Sequence, residues 1–167
     1  MWVFDATPLI YLAKIDRLDL VDHLDDSCVI PEAVYTEVVT TGIDHGYPDA
    51  RRIEQSIEDG KFEIVAVKQS DLHARLEHND NLSEADVAVL ACADGHDGVA
   101  VIDETYGRNV ADVEGVTTRG TAYLVLKLAK EGQIKVNEAR SAIDSMVEAG
   151  WYCSPADYSR IVQTLGE

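Results

Sequence analysis

The sequence predicts an α/β protein in which a parallel β-sheet is sandwiched by α-helices. Short apolar segments typical of buried strands alternate along the chain with segments of helical length and helical periodicity. Parallel strands need a crossover element between them, so this alternation favours a parallel sheet over one built from hairpins. The 167 residues fit one core, and no linker, repeat or low-complexity tract divides them. We therefore expect a single domain over residues 1–167.

The first half of the chain supplies three predicted strands. Trp2-Val3-Phe4 is a short apolar strand that ends at Asp5. The helix after it is predicted to have Thr7 as its N-cap and Pro8 at its first position. The elements that follow are a helix at 18–24, a strand at 28–30, a helix from Pro31 that carries Glu37 and ends at Gly42, a helix at 49–60 and a strand at 62–67.

The second half begins with a capped and buried helix. Ser83 is placed to cap a helix whose third residue is Asp86, which resembles a capping box. Residues 87–93 are apolar on nearly every face, so this helix should be central. Residues 99–102 form a continuous apolar run, typical of a strand covered on both faces, and Asp103 follows it. The remaining predicted elements are a strand at 116–118 and helices at 121–131, 137–149 and 156–165.

The composition argues against several classes of protein. The three cysteines form no C-x-x-C pair and are expected to be reduced thiols, and the five histidines lack zinc-ligand spacing. No apolar run approaches the roughly 18 residues that span a bilayer, and no signal peptide is visible, so we expect a cytoplasmic protein without a membrane segment. No G-x-G-x-x-G or Walker A loop is present, which disfavours a nucleotide-binding protein.

The charge is strongly negative, with 31 acidic residues against 14 basic ones and a net charge of −17. Such a surface repels nucleic acid at low ionic strength. The repulsion is largely screened in a salt-saturated cytoplasm, because the Debye length falls to about 3 Å at 1 M salt. We therefore interpret the acidity as a sign of a halophilic source, and it does not exclude an RNA substrate.

Four acids from distant parts of the chain are predicted to line one pocket. Asp5 and Asp103 each follow an apolar strand, and ligand sites of open α/β sheets form at the carboxyl ends of strands. Glu37 and Asp86 lie on helices that must pack on the sheet. Clustered carboxylates destabilise a fold unless a cation binds, and oxygen ligands suit Mg²⁺ or Mn²⁺. Such an ion activates water and neutralises charge on a phosphodiester, so the cluster favours hydrolytic phosphoryl transfer.

Each of these acids also has a purely structural interpretation. Asp5 and Asp103 can cap the helices that follow them, and Asp86 can serve only its capping box. Glu37 can lie on a solvated helix face. Spacing alone leaves these alternatives open.

The segments around the acids resemble the motifs of PIN-domain nucleases, including the VapC-type toxins of toxin–antitoxin pairs. The four motifs occur in the family's order, as VFDATPLI at 3–10, IPEAVYTE at 30–37, LSEAD at 82–86 and VIDE at 101–104. Further similarity covers 107–108, 119–121, 129–132 and 150–152, so the resemblance extends over the whole chain. It implies a PIN-like, Rossmannoid fold of three layers, α/β/α.

The resemblance also implies a role for each acid. The catalytic residues of a ribonuclease, which would hold Mg²⁺ or Mn²⁺, are Asp5, Glu37, Asp86 and Asp103. The auxiliary residues are Thr7, whose hydroxyl would lie close to the metal, Glu104, and Glu84, which would replace or assist Asp86 if the helix register differs.

The resemblance implies partners as well. Arg108 and Arg119 are candidates for contact with RNA phosphates, although surface ion pairs are an equally good interpretation in so acidic a chain. A toxin of this type has a small antitoxin protein that covers the pocket and inserts a basic residue between the acids. PIN relatives often form homodimers. The alternative from another class is a non-catalytic nucleic-acid-binding or regulatory module that keeps the same fold.

Overall fold

A computed structural model describes residues 1–167 and has a five-stranded parallel sheet at its centre. The strands lie in the order β3-β2-β1-β4-β5, and every neighbouring pair is parallel. The predicted parallel sheet between helices is therefore confirmed. The strands in chain order are β1 (Trp2–Phe4), β2 (Cys28–Pro31), β3 (Glu63–Val65), β4 (Val99–Val101) and β5 (Thr117–Arg119).

Ten α-helices and two other helical segments surround the sheet. A 3₁₀ segment spans Leu18–His23, and a π-helical segment spans Thr36–Thr41. None of the helices combines the length and the apolar character that crossing a lipid bilayer requires. The α-helices are α1 (Ala6–Lys14), α2 (Glu32–Tyr35), α3 (Gly42–Asp44), α4 (Pro48–Glu58), α5 (Asp71–Leu76), α6 (Glu84–Gly95), α7 (Thr105–Glu114), α8 (Thr121–Lys130), α9 (Val136–Glu148) and α10 (Pro155–Leu165).

Two helical layers enclose the sheet and bury its central strands. Helix α6 contacts β1, β2 and β4, and the apolar run at 87–93 is buried throughout, as its all-round hydrophobicity predicts. In the other layer α1 contacts α4 and α9, and α8 contacts α9 and α10. Helix α8 buries Leu124, Val125 and Leu128 in the core, so these residues are not available for a dimer interface. The predicted homodimer stays a prediction.

The start of α1 differs from the sequence-based expectation. The helix begins at Ala6 instead of Pro8, and Asp5 instead of Thr7 occupies the N-cap position. Pro8 still lies in the first turn, where a backbone N–H has no partner within the helix, so the proline is tolerated there. The predicted start of α1 was therefore wrong by two residues. A proline is tolerated at several positions of the first turn, so Pro8 alone does not determine where the helix begins.

Gly42 was predicted to end a helix, and this prediction was wrong. Its φ of −62° and ψ of −41° are ordinary helical values, and the chain continues without a break from the π-helical segment into α3. A Cβ at this position would lie 2.7 Å from the Cβ of Ala50 on α4. The glycine is therefore needed for close packing between two helices, a requirement that only the tertiary structure reveals.

The predicted elements do not include two helices, α5 and α7, although a helix after Asp103 was part of the capping alternative for that residue. Helix α7 is the crossover between β4 and β5, which are parallel neighbours. Parallel neighbours require such a crossover, so two predicted strands at 99–102 and 116–118 already implied a helix between them. Gly115, with a φ of 74°, ends α7 in a left-handed cap that supplies a further signal.

Candidate active site

The central strands β1 and β4 end side by side at one edge of the sheet. Phe4 pairs with Val101 in register, and the backbone N–H of Asp5 donates to the carbonyl of Val101 at 3.1 Å. Asp103 lies two residues beyond Val101. Both predicted strand-end acids therefore emerge at the same edge, as the sequence indicated.

Asp5 is a buried carboxylate, with only 4% of its surface exposed. Although it occupies the N-cap position of α1, its side chain does not form the capping hydrogen bond. Burial raises the pKa of Asp5 from its ordinary value of 3.8 to about 7, and the N–H of Ala6 partly opposes this rise. The interpretation of Asp5 as the side-chain cap of α1 is therefore wrong.

Three other acids act electrostatically on Asp5. The negative charges of Asp86, Glu104 and Glu37 each raise its pKa further. These residues come from α6, from the segment that follows β4, and from the π-helical segment. The charges of two other predicted catalytic acids, Asp86 and Glu37, thus act on Asp5, and so does the charge of Glu104, for which only an auxiliary role was predicted.

Glu37 lies in the π-helical segment, where the sequence predicted an ordinary α-helix. It is more exposed than Asp5. Partial burial, followed by the charges of Asp86 and Glu104, raises the pKa of Glu37. Single turns of π-helix inside α-helices occur frequently at functional sites, which agrees with a role for Glu37 beyond that of a solvated helix residue.

Asp86 forms the predicted capping box at the start of α6. Its N–H donates to Oγ of Ser83 at 3.1 Å, and the N–H of Ser83 donates to Oδ2 of Asp86 at 2.9 Å. The predicted capping box is therefore confirmed. A carboxylate has two oxygens with about four acceptor positions, so this cap leaves capacity for a second partner.

Asp103 has different surroundings, because three donors hold its carboxylate. Oδ1 accepts the N–H of Thr121 at 2.8 Å, and Oδ2 accepts the Thr121 hydroxyl at 2.8 Å and Nε1 of Trp151 at 3.2 Å. The N-cap residue of α8 is Gly120, which has no side chain, so Asp103 caps α8 from the end of β4. The helix that directly follows Asp103 is not the one it caps, since Glu104 occupies the N-cap position of α7.

Two predicted auxiliary residues lie around this site without a resolved contact to it. Thr7 is partly buried in the first turn of α1, two residues after Asp5. Glu84 is exposed at the first position of α6 and lines a separate hollow with Glu32 and Thr36. Thr121 and Trp151 lay within segments that resembled the family, but no role for either was predicted from the sequence.

Neither Arg108 nor Arg119 forms an ion pair, so the ion-pair interpretation of these residues is wrong. Nη1 of Arg119 donates to the carbonyl of Thr118 at 2.7 Å, and its guanidinium lies 4.9 Å from the ring centroid of Tyr123. A Cβ on Gly120 would lie 3.4 Å from Nη1 of Arg108 and 3.1 Å from Oδ1 of Asp103. The glycine therefore allows these side chains to approach the start of α8.

The site has the donor chemistry for a hard cation but does not enclose one. No three aspartate, glutamate, histidine or cysteine side chains converge closely enough to hold a metal ion. The acids around Asp5 supply only oxygen ligands, the type that Mg²⁺ and Mn²⁺ prefer. No basic side chain forms an ion pair with Asp5, Glu37, Asp86 or Glu104. The donor set therefore fits a divalent ion, although its side chains would have to move to hold one.

Comparison with known proteins agrees with this geometry. A family model described as a PIN domain matches residues 1–167. No curated protein matches the sequence. PIN domains are typically nucleases and generally use divalent metals, so the match supports a hydrolase that acts on nucleic acid. The chain belongs to the PIN-domain family.

Proposed function

We propose that the protein is an endoribonuclease that depends on Mg²⁺ or Mn²⁺. The observation that supports this most directly is the buried Asp5, whose pKa is raised to about 7 by burial and by three acidic neighbours. No cation of the chain compensates these charges. Such an arrangement destabilises a folded protein unless a bound ion neutralises it, which favours a divalent ion at this site.

The proposed ligands are Asp5, Glu37 and Asp86, with Glu104 beside them. Asp103 stays a predicted ligand. The hydrogen bonds from Thr121 and Trp151 hold its carboxylate in one orientation, which is what the outer-shell partners of metal ligands do. Asp5 is fixed at the end of a buried strand, whereas Glu37 and Glu104 are exposed and have the freedom to move toward an ion.

A divalent ion at this site would activate water and neutralise charge that develops on the phosphodiester. The residues of the chain position the substrate. Arg108 and Arg119, which are free of ion pairs, are available to the phosphates on either side of the cleaved bond. Asp5 is buried directly after β1, so its carboxylate is held at one place beside the sheet edge. The expected products are RNA fragments with 5′-phosphate ends.

Cleavage of RNA by the purified chain, in high salt with Mn²⁺ or with a chelator, tests this proposal. We expect Asp5→Asn to lower the rate about 1,000-fold, because the loss of a metal ligand removes several kcal/mol of transition-state stabilisation. Asp94→Asn, an exposed acid near the opposite end of α6, is the matched control and should cleave normally. Asp103→Asn is measured beside them. Equal cleavage by all of these proteins would exclude the assignment.

Thermal unfolding separates the nuclease from the alternative, a non-catalytic binding or regulatory module. Mn²⁺ at one hundred times its dissociation constant should stabilise the chain by about 2.7 kcal/mol. For a chain of this length that corresponds to a rise in Tm of roughly 5–10 °C. Asp5→Asn should abolish the rise. A wild-type chain whose Tm does not respond to Mn²⁺ would favour the module.

We further propose that the protein is the VapC-like toxin of a type II toxin–antitoxin pair. A basic side chain from a small antitoxin would supply the cation that the acids around Asp5 lack. Expression of the chain alone should arrest growth, Asp5→Asn should relieve the arrest, and a neighbouring short reading frame should encode a protein that co-purifies with it. Normal growth with a chain that cleaves RNA in vitro would exclude the toxin role and leave the nuclease intact.

We also propose a halophilic source, because the chain has a net charge of −17. At low salt this charge repels RNA, and the acidic side chains repel one another in the folded protein. Molar salt shortens the Debye length to about 3 Å, so it screens the repulsion between charges that are farther apart than this. Thermal unfolding in molar KCl should therefore occur at a higher temperature than in dilute buffer. Equal Tm values in the two solutions would argue against a halophilic source.

A further inference from the structure

Helix α7 connects β4 to β5 but has little apolar anchorage. Of its 10 residues only Gly107 and Ala111 are buried, and the helix packs mainly on β5. Burial of such small residues contributes little hydrophobic stabilisation, because the contribution scales with the apolar area removed from water. Val113, in the last turn, is 86% exposed. The position of α7 therefore depends strongly on contacts at its two ends.

Side chains of the segment between β3 and α6 contact both ends of α7. In the first turn, the hydroxyl of Tyr106 accepts a hydrogen bond from Nδ2 of Asn79 at 3.0 Å and donates to Oδ1 of the same side chain at 3.2 Å. In the last turn, Nη2 of Arg75 donates to Oε2 of Glu114 at 2.8 Å. No other side chain of α7 forms a hydrogen bond within the chain.

Asn79 also forms the turn that leads into α6. Its Oδ1 accepts the N–H of Asn81 at 3.0 Å, and its backbone carbonyl accepts the N–H of Leu82 at 3.1 Å. An asparagine side chain that bonds the backbone two residues farther on stabilises a turn of this kind. Ser83 follows directly and caps α6. One asparagine side chain therefore contacts both the turn before α6 and the first turn of α7.

Both helices begin with an acid of the proposed site. Asp86 lies in the first turn of α6, and Glu104 is the N-cap residue of α7, two residues before Tyr106. Burial is the main cause of the raised pKa of Asp5 and of Glu37, and the charges of Asp86 and Glu104 raise both pKa values further. The Asn79–Tyr106 contact therefore joins the two elements that carry these acids.

Glu104 can bind an ion most readily if its backbone is held in place. Its side chain is exposed and does not cap α7, so it is free to move toward Asp5. With the backbone held, ion binding orders only this side chain. With a mobile helix start, binding must order the helix as well, at a higher cost in conformational entropy.

We propose that Asn79 and Tyr106 are positioning residues for the metal site. Their contact holds the start of α7 against the turn before α6, and so keeps Glu104 within reach of an ion bound at Asp5 and Asp86. In this role neither side chain touches the ion or the substrate. Both residues lie outside the segments that resemble the PIN family. The inference rests on the proposed metal-dependent function and adds two residues that support it.

The affinity of the full chain for Mn²⁺ tests this inference independently of cleavage. Free Mn²⁺ is measured by its EPR signal during a titration at constant salt. We expect Tyr106→Phe, which removes only the hydroxyl, to raise the dissociation constant about 5-fold, the equivalent of about 1 kcal/mol and of one lost hydrogen bond. Tyr47→Phe is the matched control and should bind Mn²⁺ like the wild type, since Tyr47 is 54% exposed and lies at the start of α4.

Two further variants separate positioning from general stability. Arg75→Met removes the ion pair at the other end of α7 and should leave the affinity for Mn²⁺ unchanged, even where it lowers the stability of the chain in urea. Glu104→Ala removes the positioned carboxylate without the loss of a side-chain cap. In that background Tyr106→Phe should have no further effect on the dissociation constant.

Three results would overturn the inference and leave the proposed function intact. They are wild-type affinity for Mn²⁺ in Tyr106→Phe, an effect of Tyr106→Phe that is undiminished in the Glu104→Ala background, and an equal loss of affinity in Arg75→Met. A wild-type chain that binds no Mn²⁺ would exclude the metal-dependent function and this inference with it.

Discussion

Asp5 and Asp103 follow neighbouring strands at the same edge of the sheet, yet their surroundings are opposite. Asp5 is 4% exposed, and burial and three acidic neighbours raise its pKa to about 7. Asp103 accepts hydrogen bonds from two groups of Thr121 and from Trp151, and it caps α8. The same sequence pattern, an apolar strand followed by aspartate, therefore gives one destabilising charge and one stabilising one.

This contrast separates two ways in which a buried or half-buried acid contributes to a protein. A carboxylate whose charge is unfavourable in the free protein gains most when a cation binds. A carboxylate that is already matched by donors stabilises the fold and positions the elements around it. Neutralising each residue should therefore change stability in opposite directions in the metal-free chain.

The largest expected effect is on the pH dependence of stability at Asp5. Its folded-state pKa is raised to about 7 from 3.8, so the folded chain binds this proton more tightly than the unfolded chain does. The stability contributed by the protonated form is fully present below about pH 4 and is lost as the pH rises through about 7. At about pH 8 the charged Asp5 should lower the free energy of unfolding by up to roughly 4 kcal/mol.

Urea unfolding in a chelator, at constant salt and from about pH 5 to 8, measures this effect. Asp5→Asn cannot ionise and should lose less stability than the wild type over that range, whereas Asp94→Asn should follow the wild type. Parallel pH profiles for the wild type and Asp5→Asn would contradict the assignment of an unfavourable charge to Asp5.

A substitution of Asp103 is expected to have a smaller effect on stability, and one of opposite sign to the removal of the charge of Asp5. Asp103→Ala should lower the free energy of unfolding by about 3 kcal/mol, because it leaves the buried donors of Thr121 and Trp151 without an acceptor. Thr121 is 0% exposed in the folded chain, and both its N–H and its hydroxyl donate to the Asp103 carboxylate. Urea unfolding gives the value. Thr121→Val should lower the free energy of unfolding less in the Asp103→Ala background than in the wild type, because the hydrogen bond is already lost. Equal losses in the two backgrounds would contradict the contact between the two side chains.

The smallest expected effect comes from Gly120→Ala, which perturbs only the approach of Asp103 to α8. The new Cβ would lie 3.1 Å from Oδ1 of Asp103, so the carboxylate must shift by a few tenths of an ångström. We expect a loss of about 1 kcal/mol from the weakened cap. Gly95→Ala is the control, since no atom lies within 4 Å of its added Cβ, and it should be neutral or stabilising. Equal Tm values for the two variants would exclude a steric role for Gly120.

Local patterns in the sequence determined much of the fold. The capping box of Ser83 and Asp86 was predicted in full, because both of its hydrogen bonds join residues three positions apart. The apolar runs ending at Asp5 and Asp103 placed β1 and β4 correctly, since strand burial depends on the residues within the strand. The parallel order followed from the alternation of strands and helices, and with it the common edge at which the acids emerge.

Only the tertiary structure decided how each acid is used. A side chain at Gly42 would collide with Ala50 on α4, and one at Gly120 would press against Asp103 after β4. No local sequence pattern reveals these neighbours. Likewise Asp103 caps a helix that begins 18 residues later, and Glu104 acts on Asp5. Backbone hydrogen bonds and hydrophobic periodicity act over a few residues and can be read from sequence. Desolvation and charge coupling depend on which distant side chains meet, so the electrostatic roles of these acids appear only in the folded chain.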